Sequence, residues 1–257
     1  MFWLGAPVVC PTHEINYRTI LRFSTYSQPA NIEVSVPNNP FFTPLRLSLA
    51  SFQSGSMNLT PFKSLFESPL SPNQPKGHAL LIKSTANISA YYEIGESNNP
   101  EIFVLKGSSA TGNSFIIPGQ SRFANAKENG FIYNPQPKNG FVMVATENNT
   151  TITVTPKQNT TTHPAGIPFT VTLNKGETYT VVAERFEAGL HLEGSFVKSN
   201  KPITITVYDD SIGPPPPAPE NRDLIGDQIL PEDRNGSEFI IIRGALNFIN
   251  SFNRDYF

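Results

Sequence analysis

Four carboxylates fall in one stretch of the chain. Asp209 and Asp210 close an alternating apolar segment, and Asp223 and Asp227 follow a run of prolines. Loop carboxylates are the hard oxygen donors that calcium takes. Their spacing is not that of an EF-hand loop, and the closing Glu of such a loop is missing. Calcium is therefore the one cofactor for which these acids offer ligands, and no other cofactor is expected. The plainer reading is of solvated loop acids, or of an Asp turn beside Arg222. The same acids could serve as the acid and base of a glycosidase, which would need two of them facing across a cleft. No aromatic and glycine context flanks them to build one.

A second group is aromatic. Tyr91-Tyr92 and Phe41-Phe42 are adjacent pairs, and Tyr133 stands alone in a polar stretch. Neighbours on a strand face opposite sides, so one member of each pair points outward or into a second layer. Tyr91, Tyr92 and Tyr133 are the candidate binding residues, as a platform for a glycan or a protein partner. The competing reading is a sheet buried on both faces.

No catalytic signature accompanies them. His13, His78, His163 and His191 are isolated in sequence, without metal-ligand spacing, and each is expected on a turn or at the surface. Gly55-Ser-Met-Asn and Gly194-Ser-Phe-Val lack the second glycine of a nucleophile elbow. Gly107-Ser-Ser-Ala-Thr-Gly112 lacks the lysine of a phosphate loop and reads as a turn. The single cysteine, Cys10, forms no internal disulfide and no multi-cysteine zinc site. The chain is read as a non-enzyme.

The elements that would carry these residues are strands. From Phe141 to Asp210, apolar residues alternate with Thr and Ser, a period of two, and Asn174-Lys-Gly and Ser199-Asn-Lys-Pro supply turns. With 24 Pro, 17 Gly and only 16% charged residues, helices are disfavoured, while 19 Phe and 8 Tyr suffice for a core. A net charge of −2 with scattered Lys and Arg gives no nucleic-acid face. No apolar run is long enough for a membrane helix.

Four pieces recur in order. Ile32-Glu-Val-Ser-Val-Pro37 reads like Ile152-Thr-Val-Thr-Pro156, and Pro44-Leu-Arg-Leu-Ser-Leu49 like Pro168-Phe-Thr-Val-Thr-Leu173. Leu81-Ile-Lys-Ser84 reads like Phe196-Val-Lys-Ser199, and Gly112-Asn-Ser-Phe-Ile-Ile117 like Gly236-Ser-Glu-Phe-Ile-Ile241. The expectation is an all-β chain of two repeated antiparallel sandwich-like units, with a propeller-like set of short four-stranded sheets as the alternative. Unit one spans 19–120 and unit two 140–244, joined by a loop over 121–139. The edges, 1–18 and 245–257, read as truncated. Pro214 to Pro217 read as a rigid polyproline spacer.

Several motifs resemble one family. They are Phe2-Trp-Leu-Gly-Ala-Pro7, Ile88-Ser-Ala-Tyr-Tyr-Glu93, the run from Asn98 to Gly107, the run from His163 to Tyr179, Ser199-Asn-Lys-Pro-Ile203, Asp209-Asp-Ser211 and Arg222-Asp-Leu-Ile-Gly-Asp-Gln228. The chain is similar to the N-terminal domain of IgGFc-binding protein, as found in large secreted or surface gliding-motility-associated proteins of Bacteroidota-type bacteria. The resemblance implies an extracellular or cell-surface adhesion module, a fragment of a larger secreted protein, whose signal peptide and sorting domain are absent from this chain. Its partner would be a protein or glycan ligand at the cell surface, with no nucleic acid and no membrane span. The alternatives are a carbohydrate-active enzyme or a purely structural spacer. Fc binding itself is not carried over, because fold-level analogy does not transfer function.

Overall fold

In the computed structural model, residues 1–9, 17–67, 73–95, 100–125, 136–213, 223–234, 236, 238 and 240 are described. Cys10, His13, Tyr133 and Pro214 to Pro217 lie outside them. The protein is all-β, built from several antiparallel sheets. Among the described residues no propeller is formed, and none of the helices is long and apolar enough to cross a membrane.

Eight strands come first in the chain: β1 (Phe2–Leu4), β2 (Arg18–Thr25), β3 (Ala30–Ser35), β4 (Leu45–Leu49), β5 (Ser54–Asn58), β6 (Leu80–Ser84), β7 (Ile88–Gly95) and β8 (Glu101–Leu105). Their register shows long strands broken at a shared corner. β2 runs along β7 from Arg18↔Gly95 to Thr25↔Ile88, and β3 continues along β6 from Ile32↔Ser84 to Ser35↔Leu81. On the other edge, β5 and β4 accompany β2 and β3 in the same way. Strands that bend from one sheet into the next produce a sandwich whose sheets share their chains. The two sheets, β1-β6-β3-β4 and β5-β2-β7-β8, close over one core containing Ile32, Val34, Leu80 and Ile82 from the first and Leu21, Phe23, Tyr92 and Phe103 from the second.

The later strands repeat that topology. They are β9 (Gly112–Ile116), β10 (Ala124–Asn125), β11 (Asn139–Ala145), β12 (Thr150–Thr155), β13 (Phe169–Leu173), β14 (Thr178–Val182), β15 (Phe196–Gly213) and β16 (Asp223–Gln228). β11 and then β12 lie end to end along β15, with β14 and β13 outside them. β9 flanks the first half of β15 as β1 flanks β6, and β16 flanks the second half as β8 flanks β7. The enclosed core holds Phe115, Phe141, Met143, Ile152, Val154, Val181, Val197, Ile203 and Ile205.

β11 explains the unbroken apolar run Phe141-Val-Met-Val-Ala. It is buried on both faces. Phe141 and Met143 point into the second core. Val142 joins the first, and Val144 packs with Trp3, Ala79 and Leu81. The two sets of strands thus share buried contacts through β11. Gly140 permits this closeness at one end: a Cβ there would stand 2.7 Å from the Val181 carbonyl and 2.5 Å from the Tyr208 hydroxyl.

Candidate functional site

The sheet β5-β2-β7-β8 buries one face and leaves the other open. Along β7, Ile88, Ala90, Tyr92 and Ile94 point inward, and Ser89, Tyr91, Glu93 and Gly95 point outward. The adjacent tyrosines therefore separate. Tyr92 is 0% exposed, edge-on to Phe66 and Phe103, whereas Tyr91 is half-buried on the outer face. The pair Phe41 and Phe42 divides in the same way, Phe41 at 82% exposure and Phe42 in the core.

Register gives the layout of the outer face. Tyr91 lies opposite Arg22 on one side and Val104 on the other. Ser24 lies between Ser54 and Ser89, and its hydroxyl is 2.8 Å from that of Ser54. Arg22 and Glu93 form an ion pair across the strands. The hydrogen bond and charge of Arg22 hold the Glu93 carboxyl below its ordinary range. At one end the face sinks into an open cleft of about 710 Å³, whose walls include Tyr26, Gln28, Asn87, Tyr91 and Lys106. Tyr26 is 54% exposed. Its hydroxyl lies 2.7 Å from that of Ser89, which fixes the ring. Beside it the turn between β4 and β5 carries Phe52, at φ 55° and exposed, with its N–H bonded to the Tyr26 carbonyl. Sequence reasoning missed Tyr26, because only the β2–β7 register brings it to Tyr91.

The four acids occupy separate surroundings. Asp209 is buried, and its carboxylate accepts from Gln120 Nε2 at 2.7 Å and from Asn125 Nδ2 at 2.8 Å. Asp210 is buried too, and accepts from the Ser211 hydroxyl at 3.2 Å. Asp227 pairs with Lys106 and accepts from the Val104 N–H at 2.9 Å. Asp223 stands exposed at the start of β16, opposite Ile212. Among the described residues no three His, Cys, Asp or Glu side chains are grouped as a metal site. A second cleft of about 570 Å³, walled by Ile116, Ile225 and Leu230, has Asp209 in its lining.

Two ionisable groups, one buried and one half-buried, escaped the sequence reading. His191, expected on a turn or at the surface, is 0% exposed. Its Nδ1 lies 3.2 Å from Asp209 Oδ2 and its Nε2 3.4 Å from the Phe186 carbonyl. The reason is long-range: Gln120, Asn125 and Asp209 arrive from distant segments to form its pocket. Glu67 accepts from Tyr17 Oη at 3.0 Å, Thr19 Oγ1 at 3.3 Å and Tyr92 Oη at 3.4 Å. Burial raises its carboxyl, against the pull of Lys63 and these hydroxyls.

No curated protein matches the chain. The crystal structure of PBSX exported protein XepA aligns over 79% of this chain and 79% of its own, at 10% identity and a TM-score of 0.21, which is below the level of a shared fold. The family model described as IgGFc binding protein matches residues 101–255, more than half of the sequence. The chain belongs to the IgGFc binding protein family.

Proposed function

We propose that this chain is a non-enzymatic extracellular or cell-surface binding module, and that it engages its ligand with the outer face of the β5-β2-β7-β8 sheet. The observation that carries the reading is the placement of Tyr91. A large, half-buried aromatic stands on an open sheet face, at the mouth of a cleft that also holds the exposed ring of Tyr26, bonded to Ser89. Amphipathic aromatics fixed in place contribute contact area at low entropic cost, and such residues dominate binding surfaces. Membership of a family named for a binding protein supports the same reading.

The finer context rests on the resemblance of the motifs from Phe2 to Gln228. On that resemblance we propose a module for adhesion within a larger secreted, gliding-associated protein of a Bacteroidota-type bacterium. Two sandwich-like units make up the module, and their repeated strand topology supports that division. Binding of the purified chain to cells, immobilised matrix proteins and glycans, compared with a Tyr91→Ala variant of equal melting temperature, tests the proposal. Loss of binding in the variant supports it, and equal binding removes Tyr91 from the site.

A further inference from the structure

We infer that the Tyr91 face takes an uncharged, hydroxyl-rich ligand, a neutral oligosaccharide, laid along the outer strands and ending in the cleft at Tyr26; this inference rests on the binding-face reading above. Three features of the face point to that class.

The first is charge. Towards the cleft the ionic groups of the face are already matched, Arg22 with Glu93 and Lys106 with Asp227, while Arg18 stands exposed at the opposite end of β2, across from Gly95. An anionic ligand would have to compete with those carboxylates for the cations. A neutral polyol can instead add hydrogen bonds to the free edges of each pair without separating it.

The second is the pattern of small hydroxyls. Ser24, Ser54, Ser56 and Ser89 project on the same side as Tyr91, in adjoining register positions. Each is both donor and acceptor, as sugar hydroxyls are, so either partner can turn its proton to suit. Short side chains at Ser24, Ser54 and Ser89 also leave that end of the face low beside the Tyr26 ring. Aromatic rings present an apolar body with a polar tip, which suits the mixed C–H and O–H surface of a sugar.

The third concerns a peptide ligand. Extended peptides bind by adding a strand to an open sheet edge. The edge beside Tyr91 is β8, and its donors are taken. The Val104 and Lys106 N–H groups bond to the side chains of Asp227 and Gln228 at 2.9 and 2.8 Å, and the Ile102 N–H bonds to Glu101 at 2.7 Å. Backbone addition there would break these bonds.

The test uses the full chain, with a panel of neutral gluco-, manno-, galacto- and N-acetylglucosamine oligosaccharides as probes. Sialylated and sulfated glycans and a matrix-protein array run beside them, followed by ligand-observed NMR and calorimetry. A neutral oligosaccharide is expected to bind, and Tyr91→Ala and Tyr26→Ala are each expected to weaken it by roughly tenfold, the loss of one stacked ring. Equal melting temperatures confirm that both variants are folded. Absence of any neutral-sugar signal, or tighter binding of the charged glycans, overturns the ligand class. A protein ligand held in a Tyr91-dependent manner also overturns the ligand class but leaves the binding face standing. A neutral sugar bound equally by wild type and both variants overturns the ligand placement and the binding face together.

Discussion

The imidazole of His191 lies 3.2 Å from the carboxylate of Asp209, and both side chains are shut off from water. The ring meets acceptors at each nitrogen: Asp209 and the Gln120 carbonyl at Nδ1, and the Phe186 carbonyl at Nε2. The neighbouring Gln120 amide spends its protons on Asp209 and the Phe123 carbonyl. A doubly protonated ring satisfies all three acceptors, whereas a neutral ring turns a lone pair toward one of them. Burial works against the charge, but the hydrogen bond and charge of Asp209 overcome it, so the group titrates above its ordinary value.

Stability should therefore fall as pH rises. A histidine whose folded value is raised contributes fully below its unfolded value, about 6.5, and that contribution is lost as pH climbs through the folded value. The melting temperature of the wild type is expected to drop from slightly acid to mildly alkaline pH. In His191→Gln the drop over that window should flatten. An unchanged slope in the variant would assign the titration elsewhere.

Removing the partner should be costlier than removing the charge. Asp209→Ala leaves the His191 pocket without its carboxylate and costs the Gln120 and Asn125 amides one hydrogen bond each, at about 3 to 5 kcal/mol by denaturant unfolding. Asp209→Asn, which keeps the shape, should lose less.

Glu67 gives the opposite kind of variant. Its folded value is raised by burial, so its contribution is present below the unfolded carboxyl value, near about 4.3, and fades as pH climbs through the folded value. Glu67→Gln removes a half-buried charge but can still accept from Tyr17 and Tyr92. A gain of about 1 kcal/mol at neutral pH is expected, disappearing in acid. Thermal melts at the two pH values check it.

Much of this fold can be read along the sequence. The period of two in Ile88-Ser-Ala-Tyr-Tyr-Glu93 is enough to separate an inward from an outward tyrosine. The recurrence of Pro44 to Leu49 at Pro168 to Leu173 falls on β4 and β13, which hold equivalent places in the two sets of strands. The partners of the acids were not legible. Asp209 meets Gln120 and Asn125, and Asp227 meets Lys106, across more than eighty residues. Such pairings are set by strand register rather than by local spacing. Val144 is a related case: its place in an unbroken apolar run marks it as buried, but only the packing of the two halves gives it Trp3 as a neighbour.

Trp3 sits where the two halves meet, with its carbonyl accepting from Gln228 Nε2 at 2.7 Å. Trp3→Ala should cost about 3 to 5 kcal/mol, since a fully buried large ring leaves a cavity between halves. Calorimetry is expected to show one transition in the wild type and a broadened or split one in the variant.

Gly140→Ala should destabilise by about 1 to 3 kcal/mol, because the added methyl meets the Val181 carbonyl as well as the buried Tyr208 ring, and the backbone atom cannot turn aside. Urea unfolding checks the value.

The central claim is that binding occurs on the Tyr91 face. The most direct measurement is the affinity of wild type and Tyr91→Ala for the same immobilised glycans and matrix proteins, with folding of both matched by thermal melt. The account predicts at least roughly tenfold weaker binding by the variant, as expected for an aromatic anchor at the centre of a site. Equal affinity of the two proteins for every bound ligand would contradict it.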